Sequence, residues 1–446
     1  MAARTRLLLE GPIAPTLLRL AAPNIVVIVL QSAINTFDAF FVGRLGPEAL
    51  AGVSLAFPMM MLMQTMSAGG MGGGVASAIA RTLGAGRRED ANGLVVHALV
   101  IALVMASIFT TGLLWGGPAL YRAMGGRGGT LEAALAYSNI VFSGALAPWL
   151  LNTLASIVRG TGNMLLPAVL VVAGSLVHIT LSPSLIFGWG PFPQLGIAGA
   201  GVAVVTSFSL NSLVLIGYLL SGRSLVKLSL HGIHLRRALF WEILRVGALG
   251  SLNTVTANMT VLLLTGLVGH FGTFALAGYG MGARLEYLQI PLVFGFGSAL
   301  VAMVGTNVGA GRLARAEQVA WVGAGLAAAV TGSMGLLGAL FPYAWIGLFS
   351  AEPQVLAAGA TYLRIVGPTY GFFGLGLALY FASQGAGRLF WPFLAGFIRL
   401  LIAAGGGWIA INWFESGLPA LFAALAVALV VYGTMVVIAV KAGAWR

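Results

Sequence analysis

Apolar residues run along this chain in stretches too long for the helices of a water-soluble domain. Uninterrupted apolar segments occur near positions 15–42, 48–79, 93–116, 131–156, 164–188, 196–220, 243–269, 275–306, 317–345, 355–382, 391–413 and 417–440. Each is long enough to cross a hydrocarbon core as a helix. Six fall in each half, so the pattern predicts an all-α integral membrane protein of 12 transmembrane helices. The first segment lacks a short apolar run followed by a small-residue cleavage site, and its pattern recurs inside the chain. It reads as a retained span and not as a signal peptide.

The chain also matches itself at a spacing of 226 residues. Leu18-Arg19 falls on Leu244-Arg245, Gly46 on Gly272, and ALAG at 49–52 on ALAG at 275–278. LGAGR at 83–87 meets VGAGR at 308–312 after a slip of one residue, and Gly160, Gly162 and Pro167 fall on Gly385, Gly387 and Pro392. Two hydrophobic units in the same order and with the same parity of spans are the signature of a carrier made of two lobes around a central path. The expected organisation is two pseudo-symmetric six-helix bundles, an N-terminal lobe at 1–222 and a C-terminal lobe at 241–446. The most polar interior stretch, at 223–240, would be the linker between them.

Composition agrees: 59% of residues are hydrophobic and 8% are charged. Such a chain cannot cover itself with polar groups and is solvated by lipid. The net charge of +12 raises the question of nucleic acid, but its distribution answers otherwise. If both termini are cytoplasmic, the inner side collects most of the loop arginines and lysines, among them Arg81, Arg87, Arg88, Arg159, Arg236, Arg237 and Arg312. The outer loops hold Arg44, Arg122 and Arg127. That asymmetry is the positive-inside rule, so a multi-pass protein of the inner (plasma) membrane with both termini cytoplasmic is expected, without a nucleic-acid partner. The absence of cysteine excludes disulfides and thiolate chemistry.

Several of these segments carry a family likeness. Pro23, NTFDAFFVGRLGPEALAG at 35–52, RTLGAGRREDA after the second span, RGTGN at 159–163 and PQLGIAGAGVA at 193–203 resemble the multidrug and toxic compound extrusion (MATE) family over nearly the whole chain. The resemblance implies a V-shaped pair of bundles working by alternating access. It further implies export of organic, often cationic, compounds against a proton or sodium gradient, and points to the branch that couples through the N-terminal lobe. The wider superfamily also holds lipid-linked saccharide flippases, which remain the alternative reading. A flippase is expected to carry a cation-rich cavity and often fourteen spans. Twelve spans and a lone cavity acid favour a secondary antiporter.

Ionisable residues inside a bilayer are costly and rare. Of eleven acids, Asp38 and Glu286 alone sit well inside predicted spans. A carboxyl group in a low-dielectric cavity is suited to load and release a proton, and the family's coupling aspartate falls on Asp38. Fifteen residues earlier, Pro23 offers the helix a place to bend, and the resemblance implies a hinge there. Gln31, Asn35, Asn152 and Ser182 are expected to support the N-lobe cavity.

The fifth span departs from the family. The positions where this branch carries asparagine and aspartate are His178 and Ser182, and a threonine of the sixth span appears as Val204. Sodium needs several hard oxygen ligands, so sodium coupling through this lobe is not expected. Histidine brings a group that titrates near neutral pH, and His178 is expected to share or relay the proton of Asp38. In the second lobe, Leu264 stands where the repeat would place a partner of Asp38. Glu286 cannot face Arg284 two residues away on a helix; an ion pair with Arg364 or Arg399 is the first expectation, and recognition of a cationic substrate by Glu286 the second, with Arg284 and Arg399 the other substrate or ion-pair candidates. The glycine-rich GGMGGGVASA at 69–78 fits no phosphate-binding loop and reads as close helix packing. No HExxH spacing and no convergent Ser/His/Asp set occur. A non-enzymatic carrier is expected, with no cofactor or metal, taking small organic substrates and protons and acting as a monomer in the bilayer.

Overall fold

The computed structural model describes residues 3–229, 234–413 and 417–445, the side chains of 28–36, 39 and 291 excepted. Gln31 and Asn35 therefore lie outside the described side chains. Twelve spanning units follow one another: α1 Ile13–Gly43, α2 Pro47–Gly84, α3 Arg88–Ala123, and α4, whose halves Gly128–Ser143 and Leu146–Gly160 bend by 47°. After them come α5 Leu165–Phe187, α6 Ile197–Leu220, α7 Arg237–Gly269, α8 Thr273–Gly309, α9 Leu313–Leu340, α10 Pro353–Ala386, α11 Phe390–Asn412 and α12 Leu418–Lys441. With 31 residues, α1 is long enough to cross a bilayer. The chain is thus an all-helical, multi-pass membrane protein. Short helices at Ala3–Glu10 and Pro342–Ile346 complete the described helices.

Two apolar cores account for the lobes. One is built from α2 to α6 around Trp149, Phe142 and Leu154, the other from α8 to α12 around Tyr362, Tyr370 and Phe422. Helix α1 belongs to both. Leu17 and Ala21 in its first half are buried in the second core, whereas Val42 at its far end is buried in the first. Pro23 lies before this changeover, between Ala21 and Ile25, both packed on the second core, and α1 runs through it as one helix. Helix α7 crosses in the opposite sense: its Leu239 and Ile243 are buried in the first core and its Leu264 and Val268 in the second.

The sequence repeat becomes a structural one. Gly46 and Gly272 take φ of 116° and 93° at the starts of α2 and α8, a backbone region that side chains disfavour. A methyl on Gly52 meets Ala133 Cβ on α4 at 2.6 Å, and one on Gly278 meets Ala358 Cβ on α10 at 2.7 Å. The same helix-to-helix approach is therefore made in each lobe.

The lobes meet in the half of the molecule that carries the linker. Gly84 of α2 lies on the Thr306 carbonyl of α8, and its repeat mate Gly309 lies on the Arg81 carbonyl of α2; methyl groups there reach those oxygens at 2.1 and 2.0 Å. Gly74 abuts the Gly247 backbone nitrogen of α7 at 2.6 Å by the same measure. The GGMGGGVASA stretch is thus where α2 approaches α7 across the lobes. A π-turn at Met66–Met71 interrupts α2 here. The N-terminal helix lies across the same end: Asn307 Nδ2 donates to the Leu8 carbonyl at 3.1 Å, and Leu8 borders Gly162 of the first lobe. The linker is tied to the first lobe by Arg236, whose Nη2 donates to Asp90 Oδ1 at 2.6 Å and whose backbone N–H donates to His97 Nε2 at 2.9 Å. His97 is a structural histidine, its Nδ1 donating to the Gly93 carbonyl at 2.7 Å.

Candidate functional site

Helices α1 and α5 bring three of the residues singled out by sequence together. His178 Nε2 lies 2.7 Å from Asp38 Oδ2, and Ser182 Oγ donates to Asp38 Oδ1 at 3.2 Å. His178 and Ser182 are four residues apart, one turn, and so face the same helix. The His178 side chain is 8% exposed and that of Asp38 30%, so the imidazole is enclosed while the carboxyl is partly exposed. The imidazole also interacts with the Ala203 backbone on α6. Val204, beside it, brings no oxygen. Tyr137 lies close enough to feel the Asp38 charge, and its hydroxyl donates to Met60 Sδ at 3.4 Å.

The remaining first-lobe residues go elsewhere. Asn152 on α4 donates to Gln64 Oε1 at 2.9 Å and Ser67 Oγ at 2.7 Å. It braces the entry to the π-turn of α2, apart from the hydrogen bonds of Asp38. Asn24, next to Pro23, donates to Ser298 Oγ on α8 at 2.7 Å, tying the first half of α1 to the second lobe.

Glu286 corrects an expectation. Among the described residues no arginine lies within ion-pair distance of it. Instead Tyr362 Oη donates to Glu286 Oε2 at 2.7 Å, and Tyr370 Oη donates on to Tyr362 Oη at 3.4 Å. Arg284 stacks over Phe349, its Cζ 5.1 Å from the ring centre, and Arg364 over Tyr343 at 5.2 Å. Arg399 shares a cavity with Glu286 and Leu264, its guanidinium between the rings of Tyr432 and Phe373 at 5.2 and 5.7 Å. Arg399 thus acts on the Glu286 charge across this cavity without a direct ion pair, while aromatic faces hold its guanidinium, since a ring quadrupole attracts a cation.

Two features were not foreseen in the sequence. The first is a cluster at the linker end: Glu242 Oε2 accepts from Arg81 Nη2 at 3.0 Å and from Arg245 Nη2 at 2.9 Å. Arg81 Nη1 also bonds Ser77 Oγ and, at 3.3 Å, the Gly385 carbonyl of α10. The second is a cavity between the lobes, lined by Gly72, Ser156, Arg159, Phe294, Phe381 and Gln384 among others. Charge counting had placed Arg81 and Arg159 on the inner loops; the helices carry both inward.

Two six-helix lobes in one chain, joined at one end, with a polar carboxyl pocket inside each, define a two-lobed membrane transporter. Comparison with known proteins fixes the family. The MatE family model matches residues 23–184 and 251–409, once in each lobe, and the chain belongs to that family of transporters of small molecules. It is 29% identical over 378 residues to the FAD transporter of Shewanella oneidensis, covering 84% of this chain and 82% of that protein. Identity to the probable multidrug resistance protein NorM of Thermotoga maritima is 24%, over 96% of this chain and 92% of that one. Among solved structures, a MOP superfamily transporter from Pyrococcus furiosus superposes with a TM-score of 0.91 at 25% identity, covering 100% of this chain and 98% of that one. The outward-facing conformation of a multidrug resistance MATE family transporter superposes with a TM-score of 0.89 at 25% identity, covering 97% and 96%.

Proposed function

We propose that this chain exports amphipathic organic compounds, many of them cationic, in exchange for protons, by alternating access. It would act as a monomer in the plasma membrane with both termini cytoplasmic. Export of compounds follows from the family; the driving ion is our reading, and one observation carries it, the 2.7 Å contact between His178 Nε2 and Asp38 Oδ2.

The argument is a proton count. In the tautomer whose proton sits on the other ring nitrogen, toward the Ala203 backbone, the Nε2 of a neutral imidazole carries a lone pair. A bare carboxylate at hydrogen-bond distance would then set lone pair against lone pair. One proton between the two groups removes the conflict, whether drawn as carboxylic acid and imidazole or as carboxylate and imidazolium. The contact therefore belongs to a proton-loaded pair, and loss of that proton drives Asp38 and His178 apart. Because α1 is buried in both cores and tied to α8 through Asn24, a shift of Asp38 is felt between the lobes, with Pro23 as the point of bending.

Among the described residues sodium finds few ligands here: one serine is the side-chain oxygen that bonds Asp38, with histidine and valine where the family's amide and hydroxyl stand, and hard cations require more. A flippase for pyrophosphate-linked lipids calls for a cation-rich cavity, whereas Arg159 is the one basic residue lining the interlobe cavity among the described residues. The test is Asp38→Asn, which keeps size and hydrogen bonding but releases no proton. Reconstituted in proteoliposomes, it is expected to insert normally and to lose transport driven by a pH gradient. Near-normal transport would remove Asp38 from the mechanism and turn attention to Glu286.

A further inference from the structure

We infer that Arg159 forms an anion subsite at the base of the interlobe cavity, taking a carboxylate or phosphate group of an aromatic substrate. This rests on the exporter reading and names a substrate class for its central cavity.

Arg159 lies in the last turn of α4, one residue before the helix ends. A cation is favoured there by the helix dipole, and an arginine at a membrane boundary ordinarily reaches outward to water and headgroups. This one turns back. Side chains lean toward the N-terminus of their own helix, and the Arg159 head shares the cavity with Phe294 and Ser298, more than a full turn inside α8. Its one side-chain hydrogen bond is Nη2 to Ser156 Oγ at 3.2 Å, and no acidic group of the described residues stands beside it. Arg81, buried where Arg159 is half-buried, is answered by Glu242 at 3.0 Å.

A guanidinium partly withdrawn from water without a counter-charge gains from a ligand that supplies one. The cavity lining offers complementary groups. Gly69, Gly72 and Gly73 of α2 leave the floor as bare backbone, and the rings of Phe294 and Phe381 stand edge to face, 5.6 Å apart. Gln384, wholly buried, donates from Nε2 to the Gly69 carbonyl at 3.0 Å while its Oε1 has no partner. A planar ligand with one anionic group would set its ring against the phenylalanines and its oxygens on the guanidinium in the bidentate fashion arginine favours. Loading such a ligand neutralises Arg159, so it is bound more tightly than a cation of the same shape.

Two dyes with one ring system separate charge from shape: fluorescein is anionic and rhodamine 6G cationic, both on a xanthene core. Fluorescence anisotropy on the purified full chain in detergent gives both affinities without any ion gradient, so the result does not depend on whether protons drive transport. Wild type is expected to bind fluorescein, with affinity falling as ionic strength rises. Arg159→Gln should weaken fluorescein at least about tenfold, as loss of a charge-assisted hydrogen bond implies, and leave rhodamine 6G within about twofold. Arg159→Lys, which keeps the charge, should retain much of the fluorescein affinity. If the Gln variant does not fold, the salt dependence in wild type and the Lys variant carry the test. Absent fluorescein binding by wild type, affinity indifferent to salt, or an equal loss of both dyes in Arg159→Gln would overturn the assignment.

Discussion

Gly309→Ala tests the closure of the linker end with one added methyl. The new Cβ would stand 2.0 Å from the Arg81 carbonyl oxygen of α2. That partner is helix backbone, which no rotamer change relieves. Gly309 has an ordinary helical conformation at the end of α8, so alanine brings no strain of its own and slightly favours the helix whether the lobes are together or apart. The clash is confined to the state in which α2 and α8 touch. Overpacking of this kind costs about 1–3 kcal/mol, and with rigid backbone on one side we take about 2 kcal/mol, a shift of about 30-fold toward separated lobes at 1.4 kcal/mol per factor of ten. Gly84→Ala meets the Thr306 carbonyl at 2.1 Å and should act alike; the double variant should fall short of additivity, because a helix displaced by the first methyl has already made room for the second. Spin labels on Arg88→Cys and Ala314→Cys, both exposed in a chain without cysteine, report the separation by pulsed electron resonance. The alanine variants should populate a longer distance, and Gly325→Ala, with nothing within 4 Å, should not. Distance distributions of Gly309→Ala and Gly84→Ala that overlay wild type would refute the claim that these glycines hold the closed end.

Three further outcomes are expected. His178→Asn restores a hydrogen-bonding partner for Asp38 but not a titrating one, so the pH of half-maximal transport should move while transport survives; a profile superposing on wild type would end the shared-proton idea. Tyr362→Phe removes the donor that holds Glu286 at 2.7 Å and should cost about 1.5–3 kcal/mol of stability, read as a lowered thermal midpoint in detergent, with pH-driven transport retained where the protein is intact; an unchanged midpoint would show the bond to be immaterial. Single cysteines at Ser229 and Ala351, both exposed and on opposite ends of the spans, should label from opposite sides of the membrane, Ser229 from the cytoplasm. Labelling of both from one side would sink the proposed orientation.

The repeat carried most of the fold. Residues matched by the repeat turn out to do matched work: Gly46 and Gly272 open equivalent helices, Gly52 and Gly278 admit equivalent neighbours, and, past the one-residue slip, Gly84 and Gly309 close the same interface from its two sides. The family resemblance singled out His178 and Ser182, and the structure sets both, one turn apart on α5, against Asp38. What spacing could not reach was anything decided by the approach of lobes. Glu242 looked like a loop-edge acid until α7 crossed to the first core and laid it on Arg81. Arg159 counted as an inner-loop charge because the direction of its side chain depends on which cavity the α4 bend opens to. Glu286 was assigned an arginine because charge complementarity is visible in a sequence, whereas a tyrosine one helix away gives no signal of its own.

The central claim is that one proton held between Asp38 and His178 drives export. Its most direct test is uptake of a fluorescent organic cation into proteoliposomes holding the wild-type protein, with a pH gradient or a sodium gradient imposed separately. The pH gradient alone should drive uptake, and the sodium gradient alone should not. Sodium-driven transport without a pH gradient would contradict the account and place a cation site elsewhere, with the Glu286 pocket of the second lobe the first place to look.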